Sequence, residues 1–265
     1  MNTLTAGRAP KPASTLRRAL SAEALKLRGT LALWMCLIAP AVVVVLYVLQ
    51  ISVSRFPATG PVDPAKSWQM FSQSILGLWA FLMLPLFVTL ESALLAGLEH
   101  GDRQWKHLLA LPLPRDAHYL AKLAALAALV ALAFLALLAL VPLGGLALMV
   151  LKPAFGLAGG PPWAFLLKTA GACYLATLLI VALHTWIAVR WASFTVAVSV
   201  GMSATVMGFL IGQSERYGHW YPWSMPMQVL GGKGQWIEFV MVAGVAGGLV
   251  VAVLGLLDFR RREFA

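Results

Sequence analysis

Charge, cysteine and nucleotide-binding motifs are all scarce in this sequence. Only 11% of the 265 residues are charged, against about 25% in soluble globular domains, so a water-soluble fold is excluded as the default. The two cysteines, Cys36 and Cys173, form no C-x-x-C pair and have no metal-site spacing, so we expect them to be small packing residues. No G-x-x-x-x-G-K-[ST] sequence occurs. The sequence therefore lacks the phosphate-binding loop that an ATPase of this type requires.

Long uncharged runs are abundant. Six gaps between charged residues hold 26, 24, 29, 21, 24 and 19 uncharged residues, and a helix needs about 20 to cross a bilayer. The runs are rich in Leu and Ala without the alternation of a membrane strand. The sequence predicts an all-α integral membrane protein with a six-helix transmembrane domain over residues 31–258. The predicted spans are about 31–51, 70–95, 119–150, 165–188, 193–213 and 236–258.

The basic residues predict the orientation. With the N-terminus inside, the inner segments hold 14 of the 20 Lys and Arg residues and the outer ones hold 6, so an N-in, C-in topology satisfies the positive-inside rule. The run from Arg260 to Arg262 then falls in a basic cytoplasmic tail, residues 259–265. The net charge of +10 is distributed around the spans, and it leaves no folded basic face for nucleic acid.

Residues 1–30 read as a cytoplasmic tail followed by an interfacial amphipathic helix. On a helical wheel Leu16, Leu20 and Leu27 share one side, and the opposite side is basic. The residues assigned to this helix as functional are Arg17, Arg18, Glu23, Lys26 and Arg28. Glu23 falls among the apolar positions. It is either a partner for Lys26 one turn later or a carboxylate turned toward the bundle or a partner subunit.

Two connections are long enough to need a function. The first, residues 97–122, predicts a short cytoplasmic helix from Asp102 to Leu111 that the following prolines terminate. One face carries Trp105, Leu108 and Leu109 within a charged rim, which suits a protein contact; the alternative is a turn resting on the membrane surface. The second, residues 213–235, is aromatic. It is a membrane-interface belt or a lid that meets an amphipathic substrate, formed by Tyr217, Trp220, Tyr221, Pro222 and Trp223.

Two polar side chains fall inside predicted spans. Glu91 lies near the inner end of the second span and His184 near the inner end of the fourth. They either pair with each other in the bundle or reach interfacial water. Glycines four residues apart, Gly208 with Gly212 and Gly244 with Gly248, predict close packing between the fifth and sixth spans.

Several motifs resemble the permease subunits of type-2 ABC exporters. The first is E-x-x-K-x-(R/K) leading into the first span, here Glu23, Lys26 and Arg28. The second is E-(x)5-W-K-x-L-L-x-L-P-x-x-R-x-x-x-Y-L-A-K, carried by Glu99, Trp105, Lys106, Leu108, Leu109, Leu111, Pro112, Arg115, Tyr119, Leu120, Ala121 and Lys122. The turn with Arg190 and Phe194 and the run Tyr221-Pro222-Trp223 are similar to the subgroup linked to lantibiotic and bacteriocin immunity and peptide-antibiotic export. Where many members have Gly-Thr before the tryptophan, this chain has Arg103-Gln104.

The resemblance implies a multi-pass subunit of the bacterial plasma membrane that pairs with a second permease, either a copy of itself or a related chain. ATP and Mg would bind separate cytoplasmic ABC ATPase subunits, and no cofactor or metal is expected on this chain. The loop between spans two and three would supply the coupling helix that contacts the ATPase. The residues assigned to that role are Glu99, Asp102, Arg103, Trp105, Lys106, His107, Leu108, Leu109, Pro112 and Arg115.

Two other classes remain open at this point. An ion-coupled carrier usually places acidic groups near the bilayer midplane, and no acidic residue lies near the centre of any predicted span. An intramembrane enzyme would need a nucleophile, for which only Ser203 with His184 qualifies, and a G-x-S run in a small-residue helix is typical of close packing.

Overall fold

The computed structural model describes residues 12–54, 63–100, 114–191, 193–231 and 234–261. Its helices, in chain order, are α1 (Pro12–Leu27), α2 (Leu31–Val53), α3 (Pro64–Leu78), α4 (Leu84–His100), α5 (Arg115–Leu151), α6 (Trp163–Arg190), α7 (Phe194–Gly212), α8 (Met225–Gln228) and α9 (Ile237–Arg261). A π-helical turn, Trp79–Met83, joins α3 to α4, and a 3-10 turn, Pro153–Phe155, follows α5. The described residues contain no strand, which confirms the all-α class.

Within the described ranges, six helices are long and apolar enough to cross a membrane. They are Leu31–Val53, Pro64–Gly97, Arg115–Leu151, Trp163–Arg190, Phe194–Gly212 and Ile237–Arg261. The second begins earlier than the sequence pattern indicated. Asp63 accepts a hydrogen bond from the Ala65 backbone N–H at 3.0 Å, and Pro64 occupies the first helical turn. A capped start with proline at this position allows the helix to begin ahead of its apolar run.

The π-helical turn in the second span accommodates Pro85. Proline has no N–H to donate within a helix, and immediately before it the Leu84 N–H bonds five residues back to the Trp79 carbonyl. Such bulges are frequent at functional sites. This one places Thr89 and Glu91 in the continuing helix.

Glycine contacts show which helices pack most closely. A Cβ on Gly244 would lie 2.6 Å from the Ala176 Cα, so α9 lies directly against the backbone of α6. Gly208 and Gly212 instead lie against Trp223 and Ser224. The predicted packing of the fifth span on the sixth is therefore wrong. The connecting segment folds back against the glycine positions of α7, while α9 uses its glycines on α6.

An aromatic cluster forms the centre of the bundle. Trp79 is fully buried, with its ring 5.9 Å from both Phe87 and Phe134. Trp68 lies over Gly145 on α5, where a Cβ would overlap the indole ring. These contacts join α3 and α4 to α5. Large apolar side chains such as Leu135 and Leu249 face outward, as in a protein surrounded by hydrocarbon.

Candidate functional site

The segment predicted to couple to an ATPase lies in the sequence between α4 and α5. The positions assigned to its helix, namely Asp102, Arg103, Trp105, Lys106, His107, Leu108, Leu109 and Pro112, lie outside the described residues. Glu99 belongs to the last turn of α4, and its side chain is likewise outside the described set. Arg115 is exposed at the first residue of α5. The structure therefore describes the two attachment points of this segment.

A charge cluster fixes these attachment points, and we call it the anchor cluster: Glu23, Lys26, Asp116, Lys122 and Arg260. Lys122 on α5 is buried, with its Nζ 3.9 Å from Glu23 Oε2, and it donates to the Leu95 carbonyl of α4 at 3.3 Å. Glu23 also accepts from Lys26 Nζ at 2.9 Å. One lysine thus ties the interfacial helix to both helices that carry the segment.

The second half of the anchor cluster ties α5 to the C-terminal helix. Asp116, in the first turn of α5, accepts two hydrogen bonds from the Arg260 guanidinium, with Nε at 2.7 Å from Oδ1. A two-point contact of this kind fixes orientation as well as distance. Nearby on α9, Asp258 accepts from the Trp186 indole N–H at 3.1 Å and lies 3.5 Å from Arg190 Nε. The helices α1, α4, α5, α6 and α9 are therefore joined at one end of the bundle.

The anchor cluster also resolves the two interpretations of Glu23. Its side chain pairs with Lys26 on its own helix and is turned toward the bundle, where it meets Lys122. The motif E-x-x-K-x-(R/K) and the lysine that ends Y-L-A-K are therefore parts of one contact. Arg17, Arg18 and Arg28 are exposed, as the amphipathic pattern predicted.

Glu91 and His184 are not hydrogen-bonded to each other in this structure. Both oxygens of Glu91 lack a hydrogen-bond partner among the described residues, whereas His184 Nε2 lies 3.3 Å from Thr89 Oγ1. Thr89 and Glu91 are two positions apart on α4, so they point about 200° apart on the helix. The side of α4 that faces His184 is the side of Thr89. Reaching interfacial water is also not what the structure indicates, since both side chains are fully buried.

His184 instead meets the α7–α9 segment, residues 213–231. The indole N–H of Trp223 donates to His184 Nε2 at 3.3 Å. Because the indole can only donate, Nε2 is the unprotonated ring nitrogen. Gly201 on α7 completes the site, since a Cβ there would lie 2.7 Å from His184 Cε1 and closer still to Thr89. The sequence pattern pointed to His184, to Trp223 and to the neighbourhoods of Thr89 and Gly201. Nothing in the pattern indicated that these four residues meet.

The α7–α9 segment penetrates between the helices. Trp223 lies against Gly208, where a Cβ would come within 3.1 Å of the Trp223 Cβ, about 6 Å inside the end of α7 at a rise of 1.5 Å per residue. Tyr221 Oη donates to the Ala204 carbonyl at 3.0 Å, and Pro226 accepts from the buried Cys173 thiol at 3.3 Å. Partial burial raises the pKa of Tyr221 above its usual range.

The outermost part of the same segment is exposed. Tyr217 and Trp220 are 56% and 63% accessible, and they line an open depression of about 510 Å³ with Leu210 and Tyr221. His219 behind them stacks on Trp236 at 3.6 Å between ring centroids. The five residues named as a lid are thus divided: Tyr217 and Trp220 lie at the surface, Tyr221 and Trp223 bond to α7 and α6, and Pro222 between them is half-buried.

A known family signature covers most of the helices described above. The sequence signature described as an ABC-2 family transporter protein matches residues 19–209, which is most of the chain and runs from α1 into α7. The chain belongs to the ABC-2 transporter family. No curated protein and no solved structure matches it.

Membership of the ABC-2 family gives the chain its general role. It is a membrane-spanning permease component of an ABC transporter, a multi-pass subunit and not an enzyme. ABC-2 permeases work with ATPase subunits that bind the nucleotide. The matched region contains the second half of α1, both ends of the segment between α4 and α5, and every residue of the anchor cluster except Arg260. The chain is therefore assigned to the ABC transporters and not to the ion-coupled carriers or the intramembrane enzymes.

Proposed function

We propose that this ABC-2 permease exports an amphipathic or hydrophobic compound, such as a peptide antibiotic, across or off a bacterial plasma membrane. In this proposal it pairs with a second permease, and an ABC ATPase on the cytoplasmic side supplies the energy. The N-terminus and C-terminus are cytoplasmic, as the distribution of basic residues predicts. The anchor cluster carries the proposal, because it joins α4 and α5, the helices on either side of residues 101–113, to α1 and α9.

The anchor cluster supports a coupling role for physical reasons. The Lys122 side chain contacts α1 and the end of α4, and Asp116 contacts α9. A displacement of the segment between α4 and α5 should therefore move these helices together. Charged pairs whose partners lie on different helices have few alternative arrangements, which favours movement of the group as a unit.

The α7–α9 segment supports an export pathway that opens next to α7. Its aromatic rings at the surface suit an amphipathic molecule at the membrane interface, while its inner residues are held by a few hydrogen bonds. Release of Trp223 from His184 and of Tyr221 from Ala204 opens a path along α7 in this proposal. The segment acts as a lid whose closed position is the one described.

Co-purification tests the coupling role. The tagged chain, solubilised from its native membranes in mild detergent, is expected to retain a protein that carries the G-x-x-x-x-G-K-[ST] motif, identified by mass spectrometry. The triple variant Trp105→Ala, Leu108→Ala, Leu109→Ala removes the predicted apolar contact face, so the ATPase should be lost. Trp220→Ala is the matched control, since this exposed tryptophan lies on the other long connection. Retention of the ATPase at full stoichiometry by the triple variant would refute the assignment.

A further inference from the structure

Two apolar grooves lie beside the interfacial helix α1. The first, of about 400 Å³, lies between α1, α2 and α5, with Leu27, Leu33 and Ala128 among its walls. The second, of about 380 Å³, lies between α1, α5, α6 and α9, with Leu16, Ala182 and Gly248 among its walls. The lining of both consists largely of Leu, Ala and Val. Their floors are wide because the helices beneath carry small side chains.

The two grooves share a common border. Leu20 of α1 and Ala124 of α5 line both. Both residues are exposed, so the grooves are open depressions side by side and not sealed cavities. Two adjacent apolar grooves of nearly equal size match the two acyl chains of one phospholipid.

The charge around the grooves selects an anionic headgroup. Arg28 lines the first groove and is exposed, and Arg17 lies on the same flank of α1 as Ala24 on the helical wheel. The one carboxylate in the lining, Glu23, faces Lys26 and Lys122. The groove mouth therefore presents unbalanced positive charge directly above an apolar surface. A phosphate headgroup attached to acyl chains is complementary to both features.

We propose that α1 and its two grooves bind an anionic phospholipid of the leaflet in which α1 lies. The acyl chains occupy the grooves on either side of Leu20 and Ala124, and the headgroup contacts Arg28 and Arg17. This site is separate from the transported compound and from the ATPase contact. Because Glu23 lines the first groove and also belongs to the anchor cluster, a bound lipid lies against the helix that the cluster holds in place.

Native mass spectrometry of the full chain tests the site with two probes, phosphatidylglycerol and phosphatidylcholine of identical acyl chains. We expect phosphatidylglycerol to be retained more strongly, by about fivefold for each arginine that contacts it. Arg28→Gln should remove about one such factor, whereas Arg18→Gln, which lines neither groove and lies about 160° from Leu20 around the helix, should not. Equal retention of both lipids, or equal effects of the two substitutions, would overturn specific headgroup recognition.

A groove-filling variant tests the position of the chains. Ala124→Phe inserts a ring at the border of both grooves, and the exposed Ala128→Phe blocks only the first. Ala124→Phe should lower retention of both lipids more than Ala128→Phe, while leaving the thermal stability unchanged because neither position is in the core. Unchanged retention in both variants would show that the grooves do not hold the chains. A disulfide between two copies carrying Ala128→Cys, formed in place of lipid binding, would instead assign the groove to a second copy.

Discussion

The contact between Glu23 and Lys122 gives the sharpest stability prediction. Glu23→Gln keeps the shape and removes the charge, leaving Lys122 Nζ with the Leu95 carbonyl as its described acceptor. Both side chains are about 95% buried, at 6% and 5% exposure, and removing one member of a buried pair typically costs about 3–5 kcal/mol. Glu23→Gln leaves two lysines beside an uncharged side chain, but the Leu95 carbonyl still accepts from Lys122, so we expect a cost near the lower limit, about 3 kcal/mol.

Thermal unfolding of the purified protein in detergent measures this cost. For a chain of this size 1 kcal/mol corresponds to about 2–4 °C, so Glu23→Gln should lower Tm by about 6–12 °C. Lys26→Gln removes the partly exposed partner of the same carboxylate and should cost only about 0–1 kcal/mol. The double variant Glu23→Leu, Lys122→Met removes both buried charges and should recover much of the loss. Equal effects of Glu23→Gln and Lys26→Gln, or additive loss in the double variant, would refute the role assigned to this pair.

Two further substitutions test the packing of the bundle and of the lid. Gly244→Ala drives a methyl group into the α6 backbone at Ala176 and should cost about 1–3 kcal/mol, whereas Gly247→Ala meets only the flexible Leu179 side chain at 3.3 Å and should be neutral; equal Tm values would contradict the α6–α9 contact. Trp223→Phe removes the hydrogen bond to His184, worth about 1–2 kcal/mol or a factor of about 5–30, so a maleimide should label Cys173 faster by that factor in a Cys36→Ala background. Trp220→Phe is the control, and identical labelling rates in the two variants would exclude the lid.

The sequence predicted the spans well because charge is costly in hydrocarbon. Each gap between charged residues could be read directly, and the amphipathic pattern predicted α1 with its exposed arginines. The start of the second span was missed because Lys66 falls within the helix, which begins at the Asp63 cap. Composition alone cannot register a capped, polar first turn as part of a span.

Contacts between helices were harder to predict, because hydropathy does not determine how a helix is rotated about its own axis. Glu91 and His184 share a predicted depth, yet α4 turns Thr89 toward His184 and Glu91 away. The glycine spacing predicted close approach correctly at Gly208 and Gly244 but not the partner at either position. Trp223 was assigned to a surface lid, whereas its indole reaches a histidine in the bundle, which only the path of the α7–α9 segment determines.

Crosslinking from the loop between α4 and α5 tests the central claim most directly. A photoreactive amino acid placed at Trp105 in the otherwise intact chain is predicted to crosslink to the ABC ATPase in native membranes, and the same group placed at Trp220 is predicted not to. ATPase crosslinks from Trp105 alone would agree with a cytoplasmic coupling segment attached to the anchor cluster. ATPase crosslinks from Trp220, or none from Trp105 in a complex that co-purifies, would contradict it.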